Sequence, residues 1–331
     1  MRSNKIHKIL GTACLILAIS GIACSEELAD QDYDRQAKGL THYTMGVIYD
    51  MDGLIPEAIS EYEKAATFDS SSYVIRLKLG ANYARQGLIP EAIKELNLGS
   101  ELNPKDIQAH YLLALIYSSL KQFDKAADEY ETILKSFAEA DPQNAEISGY
   151  LGQLYYSQKK YSKAIEQFEK IIHLDPKNAE VMYLLGSLYL ETGNRQKAIE
   201  LFNQSITADP EHDGSLNSLG FIYAEDGTKL DEALGLVQRA VKIDPENGAY
   251  LDSLGWIYYK KGIYVDALKY LQMALDHLKD PVVYEHMGDV YLKLNQIDNA
   301  KKFWHQSLEL SPNQEHVLKK LDDLEGLQAN K

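Results

Sequence analysis

A nearly constant spacing of three residue types constrains the fold of this chain more than any other feature of its sequence. A small residue recurs at intervals of 34, 34, 38, 34, 34, 35 and 33 residues. A tyrosine follows each small residue by three positions, and an alanine follows it by twelve, or by thirteen in the sixth copy. The small residues are Gly46, Gly80, Ala114, Gly152, Gly186, Gly220, Gly255 and Gly288. This pattern predicts a repeat array in which each unit packs on its neighbours.

Each copy contains two apolar stretches with the 3.6-residue spacing of amphipathic helices. In the fifth copy these stretches are VMYLLGSLYL and QKAIELFNQSI, and the polar segment ETGNR lies between them. The small residue would allow the two helices to approach closely, and bulky residues such as Phe202 and Trp304 follow on the second helix. Pairs such as Asp175-Pro176 then end most copies, because the residue before a proline disfavours helix. Each copy is therefore predicted to be a helical hairpin.

The succession Leu-Gly-x-x-Tyr, then alanine, often an aromatic residue, and then proline resembles the tetratricopeptide-repeat (TPR) family. The resemblance covers residues 39–314 and implies an all-α, right-handed TPR solenoid of eight helix-turn-helix repeats. The predicted repeats are 39–72, 73–106, 107–144, 145–178, 179–212, 213–247, 248–280 and 281–314. Residues 315–331 are predicted to form a C-terminal capping helix and tail with one apolar face. The residues of that face are Val317, Leu318, Leu321 and Leu324.

Residues 1–23 have the organisation of a signal peptide. Basic residues precede the apolar run ILGTACLILAISGI, which is too short to span a bilayer comfortably. The segment GIAC at 21–24 resembles the lipobox of bacterial lipoproteins, which implies that Cys24 carries a lipid. The alternative is an ordinary signal-peptidase cleavage that releases a soluble periplasmic or extracellular protein. Residues 24–38 are predicted to be a lipidated N-terminus and tether, and Ser25 would direct a Gram-negative lipoprotein to the outer membrane, facing the periplasm.

Composition and motifs both argue against several functional classes. The formal net charge of -15 disfavours nucleic acids and anionic membrane surfaces as charge-driven partners. Cys14 and Cys24 are the two cysteines of the chain, and no metal-ligand spacing, phosphate-binding loop or nucleophile motif occurs. Because the repeats account for nearly all of the chain, we predict that it is not an enzyme and that it uses no cofactor or metal.

The resemblance also implies where partners bind, in a groove lined by the first helix of each repeat. The family's groove-facing positions correspond here to Tyr111, Leu115, Gln153, Tyr156, Tyr183, Ser187, Asn217, Phe221, Asp252, Trp256, Tyr259, Glu285 and Asp289. Large aromatic side chains are common anchors for bound peptides, and Trp256, Phe221 and Tyr259 are the strongest candidates. The alternative is that these side chains pack against neighbouring helices and only shape the groove. The acidic residues of the set would suit Lys or Arg on a partner.

We therefore expect a non-enzymatic scaffold or adaptor that is anchored in the bacterial cell envelope and binds segments of other envelope proteins. The combination of a lipoprotein signal with a repeat array resembles the outer-membrane TPR lipoproteins that help to assemble type IV pili, secretins or polysaccharide-export machinery. A structural subunit that contacts a stable complex through its flanks, and not through its groove, is the main alternative.

Overall fold

A computed structural model describes residues 32–329, with side chains described through residue 324. The predicted signal peptide and Cys24 lie outside the described residues. In the described part, the chain forms seventeen helices and no strand, which confirms the all-α fold. The helices are α1 (32–51), α2 (Ile55–Phe68), α3 (Tyr73–Gln86), α4 (Ile89–Leu102), α5 (Ile107–Ser119), α6 (Phe123–Ala140), α7 (Ala145–Ser157), α8 (Tyr161–Leu174), α9 (Ala179–Glu191), α10 (Arg195–Ala208), α11 (Asp213–Glu225), α12 (Leu230–Ile243), α13 (Gly248–Lys260), α14 (Tyr264–His277), α15 (Pro281–Lys293), α16 (Ile297–Leu310) and α17 (Glu315–Ala329). None of these helices is both long and apolar enough to cross a bilayer.

The described helices fall into two compact units. The first unit, which extends to Gln158, contains α1 to α7, and the second unit, which begins at Lys159, contains α8 to α17. We call the odd-numbered helices α1 to α15 the first helices and the even-numbered ones the second helices. Within each unit a first helix packs on its second helix, as α3 does on α4 and α13 does on α14, and each pair then packs on the next. This is the arrangement expected of TPR hairpins.

The recurring small residue lies where a bulky side chain of the second helix crosses the first. A Cβ atom on Gly186 would lie 2.6 Å from a ring carbon of Phe202. A Cβ atom on Gly288 would lie 2.4 Å from the indole of Trp304. Both rings are fully buried, so they have little room to move away. In these repeats, the small residue of the first helix and the bulky residue of the second helix therefore pack directly against each other.

The turn between the two helices of each repeat contains a residue in the left-handed backbone conformation, seven positions after the small residue. Glycine fills this position in five repeats, at Gly53, Gly87, Gly193, Gly227 and Gly262. Lys121, Lys159 and Asn295 fill it in the other three, with φ of 59°, 56° and 58°. Such a conformation costs a residue with a Cβ atom about 1–2 kcal/mol. Because three of the eight members are not glycine, this column is hard to recognise from sequence.

Helix α6 is longer than the other second helices. It has 18 residues, whereas each of the others has 14. The four extra residues of the third copy, predicted near residues 137–140, form one additional turn at the C-terminal end of α6. Phe137 begins this turn and is 44% exposed.

Helix α17 caps the last repeat. Val317, Leu321 and Leu324 are buried in a cluster with Ala300 and Trp304, as the predicted capping helix requires. The placement of Leu318 on the buried face is wrong, because this side chain is 43% exposed. One residue advances a helix by about 100°, which turns Leu318 away from the face that Val317 buries.

Candidate partner-binding surface

The predicted groove residues all lie on first helices, at three positions relative to the small residue. Three residues before it lie Tyr111, Tyr183, Asn217, Asp252 and Glu285. One residue after it lie Leu115, Gln153, Ser187, Phe221, Trp256 and Asp289. Four residues after it lie Tyr156 and Tyr259. Residues three and four positions apart share one side of a helix, so each first helix carries its predicted residues on one face.

In the first unit, this face is open to solvent. Tyr111 on α5 is 53% exposed, and Tyr156 on α7 is 52% exposed. Leu115 lies one turn after Tyr111 and is also exposed, as is Gln153 on α7. Tyr150, which was not predicted, is exposed on α7, and its hydroxyl donates a hydrogen bond to Glu146 at 2.9 Å. Aromatic side chains exposed to this degree can contact a partner without unpacking the fold.

An apolar pocket of about 610 Å³ opens beside Tyr111, and we call it the Tyr111 pocket. Its lining residues are Ile107, Gln108, Tyr111, Leu112, Tyr130, Ile133 and Phe137. All of them belong to α5 and α6, and Phe137 comes from the additional turn of α6. The volume is within the range of roughly 300–1,000 Å³ that is typical of sites for small molecules. A predicted groove residue therefore forms one wall of an apolar recess.

In the second unit, Tyr183 on α9 is packed between its own second helix and the N-terminal end of α11, which His212 caps. Its ring centroid lies 6.0 Å from that of Phe202 and 5.1 Å from that of His212. A Cβ atom on Gly214 would lie 3.0 Å from the same ring. Tyr183 is consequently half-buried, although it occupies the same repeat position as the exposed Tyr111.

Two predicted residues on α11 are half-buried. Phe221 packs against the core cluster that α11, α12 and α13 form with α10. The side-chain oxygen Oδ1 of Asn217 is buried and has no hydrogen-bond partner within the described residues. Phe221 therefore contributes to packing, and only part of each of these two side chains is accessible.

Trp256 on α13 is buried, with 8% exposure. Its ring stacks between those of Tyr259 and His286, at centroid distances of 4.6 Å and 3.9 Å. Its indole nitrogen donates a hydrogen bond to Glu225, and the Nζ atom of Lys260 lies 4.9 Å from its ring centroid. Trp256, one of the strongest predicted anchors, is therefore a packed side chain. This agrees with the alternative in which these aromatic residues pack against neighbouring helices and shape the groove.

The stack also affects Tyr259. Burial, followed by the charges of Asp289 and Tyr264, raises the pKa of the Tyr259 phenol to about 12. Its hydroxyl therefore stays protonated at neutral pH and is available as a hydrogen-bond donor.

The three predicted acidic residues are engaged by groups of this chain. Asp252 Oδ1 lies 2.8 Å from Nδ1 of His286, and both side chains are buried. Asp289 accepts hydrogen bonds from Trp304 Nε1 at 3.0 Å and from Lys320 Nζ at 2.7 Å. In the second unit, side chains of the same chain thus already pair with the acidic residues that were predicted to face a partner.

Glu285 is also engaged from α17. Its carboxylate accepts a hydrogen bond from Lys320 Nζ at 2.6 Å and lies 2.9 Å from His316 Nε2. Burial alone would raise the pKa of Glu285, but the hydrogen bond and charge of Lys320, then those of His316, outweigh burial and lower this pKa. The carboxylate of Glu285 therefore stays ionised to a lower pH than that of an ordinary glutamate.

Matches to family models cover nearly all of the repeat region. Models described as Tetratricopeptide repeat match residues 51–116 and 156–219, residues 111–179 and 219–280, and residues 282–314. The chain belongs to the tetratricopeptide-repeat family. TPR proteins are generally non-enzymatic scaffolds for protein–protein interaction.

Solved structures of other proteins align with the repeats of this chain. The hetero-tetramer Cut9–Hcn1 of APC/C aligns with a TM-score of 0.54 and 19% identity, over 80% of this chain and 52% of that chain. PilW, described as a widely conserved type IV pilus biogenesis factor, aligns with a TM-score of 0.51 and 18% identity, over 65% of this chain and 98% of that chain. A thermophilic TPR protein of Thermus thermophilus aligns with a TM-score of 0.46 and 20% identity, over 54% and 98% of the two chains. No curated protein matches the sequence.

Several residues of the TPR surface were not predicted. Leu112, Ile133 and Phe137 line the Tyr111 pocket, and Tyr150 extends the exposed aromatic surface on α7. The four-residue extension of the third copy was the available signal for this site, because it marks the repeat whose second helix departs from the family length. No cluster of three or more His, Cys, Asp or Glu side chains that could hold a metal occurs among the described residues.

Proposed function

We propose that this TPR protein is an adaptor of the bacterial cell envelope, and that it binds segments of other envelope proteins on the first helices α5 and α7. The observation that carries the proposal is the exposure of Tyr111 and Tyr156, two aromatic side chains at groove positions on neighbouring first helices. Exposed aromatic residues of this kind dominate the binding energy of many interfaces. Leu115 and Gln153 add an apolar and a polar contact to the same surface.

Anchoring in the envelope rests on the N-terminal sequence. The basic start, the short apolar run and the segment GIAC at 21–24 support export and a lipid on Cys24. A lipid at this place would hold the repeats beside the outer membrane and leave their first helices available to a partner. PilW, a type IV pilus biogenesis factor, shares the fold, and assembly of a pilus, a secretin or a polysaccharide-export machine is the role we propose.

Affinity capture from detergent-solubilised membranes, followed by mass spectrometry, tests the binding surface. We would compare the wild-type protein with the double variant Tyr111→Ala/Tyr156→Ala and with the control Phe123→Ala. Phe123 is 68% exposed but lies at the start of the second helix α6, outside the first-helix face. We expect a set of envelope proteins that the wild type and the control capture and the double variant does not.

If all three proteins capture the same set, partner binding does not use the exposed aromatic face. The structural-subunit alternative, with contacts on the flanks of the repeats, would then replace the adaptor proposal. Membrane anchoring has a separate test, in which the wild type and Cys24→Ala are labelled with radioactive palmitate in cells. Equal labelling of the two proteins would contradict the lipid at Cys24.

A further inference from the structure

Tyrosine occupies the position three residues before the small residue in three repeats, at Tyr43, Tyr111 and Tyr183. In the first repeat, the cavity beside Tyr43 is closed on one side by residues 70–72, which end that repeat, and by Val74 at the start of α3. In the fifth repeat, the ring of Tyr183 is covered by His212, which caps the N-terminus of α11, and by Gly214 of α11. In these two repeats, the tyrosine therefore has as its neighbours the first residues of the following first helix and the residues just before that helix.

The third repeat departs from this arrangement. The walls of the Tyr111 pocket come from α5 and α6, and no residue of the following helix α7 lines it. The additional turn of α6 supplies Phe137 as a wall instead. Tyr111 is consequently 53% exposed, whereas Tyr43 and Tyr183 are half-buried. The one-turn extension thus accompanies a recess that, unlike the cavity beside Tyr43, has no wall from the following first helix.

We propose that the Tyr111 pocket binds an aromatic side chain of a partner protein that carries Lys or Arg beside it. The proposal rests on the proposed function and names the kind of partner that the first-helix face accepts. The fifth repeat shows the chemistry that suits this position, because the ring of His212 packs at 5.1 Å from the ring of Tyr183. A planar side chain from a partner would make the same tilted contact with Tyr111.

The remaining walls favour an apolar ring. Ile107, Leu112 and Ile133 are aliphatic, and Tyr130 and Phe137 are aromatic. A buried aromatic side chain covers roughly 150–250 Å² of surface, and an apolar recess is where that burial contributes most to affinity. Gln108 adds one amide that can hydrogen-bond the polar atom of an indole or a phenol.

Charge supplies the second part of the partner's chemistry. Glu139 and Asp141 follow Phe137 within about one turn, and both are exposed. Within the described residues, neither carboxylate has a cationic partner; Asp141 accepts a hydrogen bond from Asn144 at 3.1 Å. Lys105, which precedes α5, is the cation nearest in sequence to the pocket residues Ile107 and Gln108. Because the whole chain also has a net charge of -15, a basic segment is favoured over an acidic one.

Three five-residue peptides serve as probes. The first has a central tryptophan between two lysines on each side, the second has glutamates in place of the lysines, and the third has alanine in place of the tryptophan. Each is titrated into the full chain, and binding is read from the NMR signals of the Ile107 and Ile133 methyl groups, which lie in the pocket wall. We expect the lysine–tryptophan peptide to shift both signals with a Kd of about 1 mM or lower, and the other two to bind at least about tenfold more weakly.

Variants locate the binding. Phe137→Ala and Tyr111→Ala should each weaken the lysine–tryptophan peptide about tenfold, because each removes a wall of the pocket. Phe123→Ala is the control, since this exposed side chain lies at the other end of α6, about 20 Å away along the helix. Tyr111 is half exposed, so its variant folds even if Phe137→Ala does not.

The outcomes separate the two proposals. Absence of methyl shifts, or equal binding by the wild type and the pocket variants, overturns the pocket. Equal binding of the lysine and glutamate peptides overturns the basic flank. If the captured envelope proteins are lost with Tyr111→Ala/Tyr156→Ala but kept with Phe137→Ala, the adaptor proposal stands and the pocket inference fails.

Discussion

In the first unit, the first helices α5 and α7 leave Tyr111 and Tyr156 about half exposed, whereas in the second unit α13 buries Trp256 at an equivalent face. Both sets of residues occupy groove positions of the same repeat pattern. They differ in their neighbours, because Tyr259 and His286 sandwich the indole of Trp256, while Tyr111 borders an open pocket. A repeat position thus determines which face a side chain is on, and neighbouring repeats determine whether that side chain is accessible.

The charged residues of the second unit show the same effect. His286 contacts Asp252, and Lys320 contacts Glu285. In each pair the basic residue lies about 34 residues after the acidic one, and it takes the place that a basic group of a partner would take. The capping helix α17 therefore occupies the acidic end of the face with its own cation. In the second unit, these groove positions therefore contribute to packing and to internal ion pairs, whereas the proposed function rests on the exposed groove positions of the first unit.

The largest expected effect comes from removing the buried indole. Trp256→Ala should lower the free energy of unfolding by about 3 kcal/mol, because it leaves a cavity between Tyr259 and His286. Tyr111→Ala should lower it by less than about 1 kcal/mol, since the ring is half exposed. Urea unfolding of the full chain, followed by circular dichroism, measures both. Equal losses for the two variants would contradict the division between a packed face and an exposed one.

The next largest effect concerns the buried pair of Asp252 and His286. His286→Phe keeps a ring stacked on Trp256 but removes the nitrogen that faces the carboxylate, so Asp252 stays buried without that partner. We expect a loss of about 2 kcal/mol in the free energy of unfolding. The double variant Asp252→Ala/His286→Phe should recover most of this loss, because it leaves no buried carboxylate unpaired. A double variant that is less stable than His286→Phe would show that the carboxylate has another role.

The hairpins and their crossing contacts were predictable from the sequence, because they depend on residues within one copy. Gly186 and Phe202 are 16 residues apart, as are Gly288 and Trp304. The same contact therefore recurs at the same sequence spacing in different copies. The capping helix followed from its apolar spacing in the same way. One copy of the pattern thus contained most of the information about the fold.

Accessibility of the candidate site was not predictable in this way. Trp256 is buried by His286 from the next repeat and by the local stack on Tyr259, a combination that occurs in one repeat. Likewise, the extension near 137–140 marked an irregular repeat, but the repeat pattern did not show that Phe137 and Tyr111 line one recess. Groove positions taken from a family pattern treat all repeats alike, and these features arise where the repeats differ.

A smaller effect is expected at the cap. Lys320→Met should lower the free energy of unfolding by about 1 kcal/mol at neutral pH, because it removes the cation that pairs with Glu285 and Asp289. Leu318→Ala is a matched control on the same helix, since this side chain is exposed and should change stability little. Thermal unfolding of the two variants provides the measurement. If the control is as destabilised as Lys320→Met, the loss comes from the helix itself and not from the ion pairs.

The smallest expected effect is a difference in acid sensitivity between the two units. Hydrogen bonds and charges lower the pKa of Glu61 in the first unit, mainly through Lys64 and then His42, and the pKa of Glu285 is lowered in the second despite its burial. A lowered pKa in the folded state gives stability that is complete above the ordinary value of 4.5 and is lost as the pH falls through the lowered pKa.

Lys320→Met should therefore flatten the decline of the unfolding midpoint between neutral pH and pH values below 4.5. Lys64→Met should flatten it less, because Lys64 is half exposed and solvent screens its charge. If the two variants flatten the decline of the unfolding midpoint equally, the ion pairs of both units contribute equally to acid sensitivity.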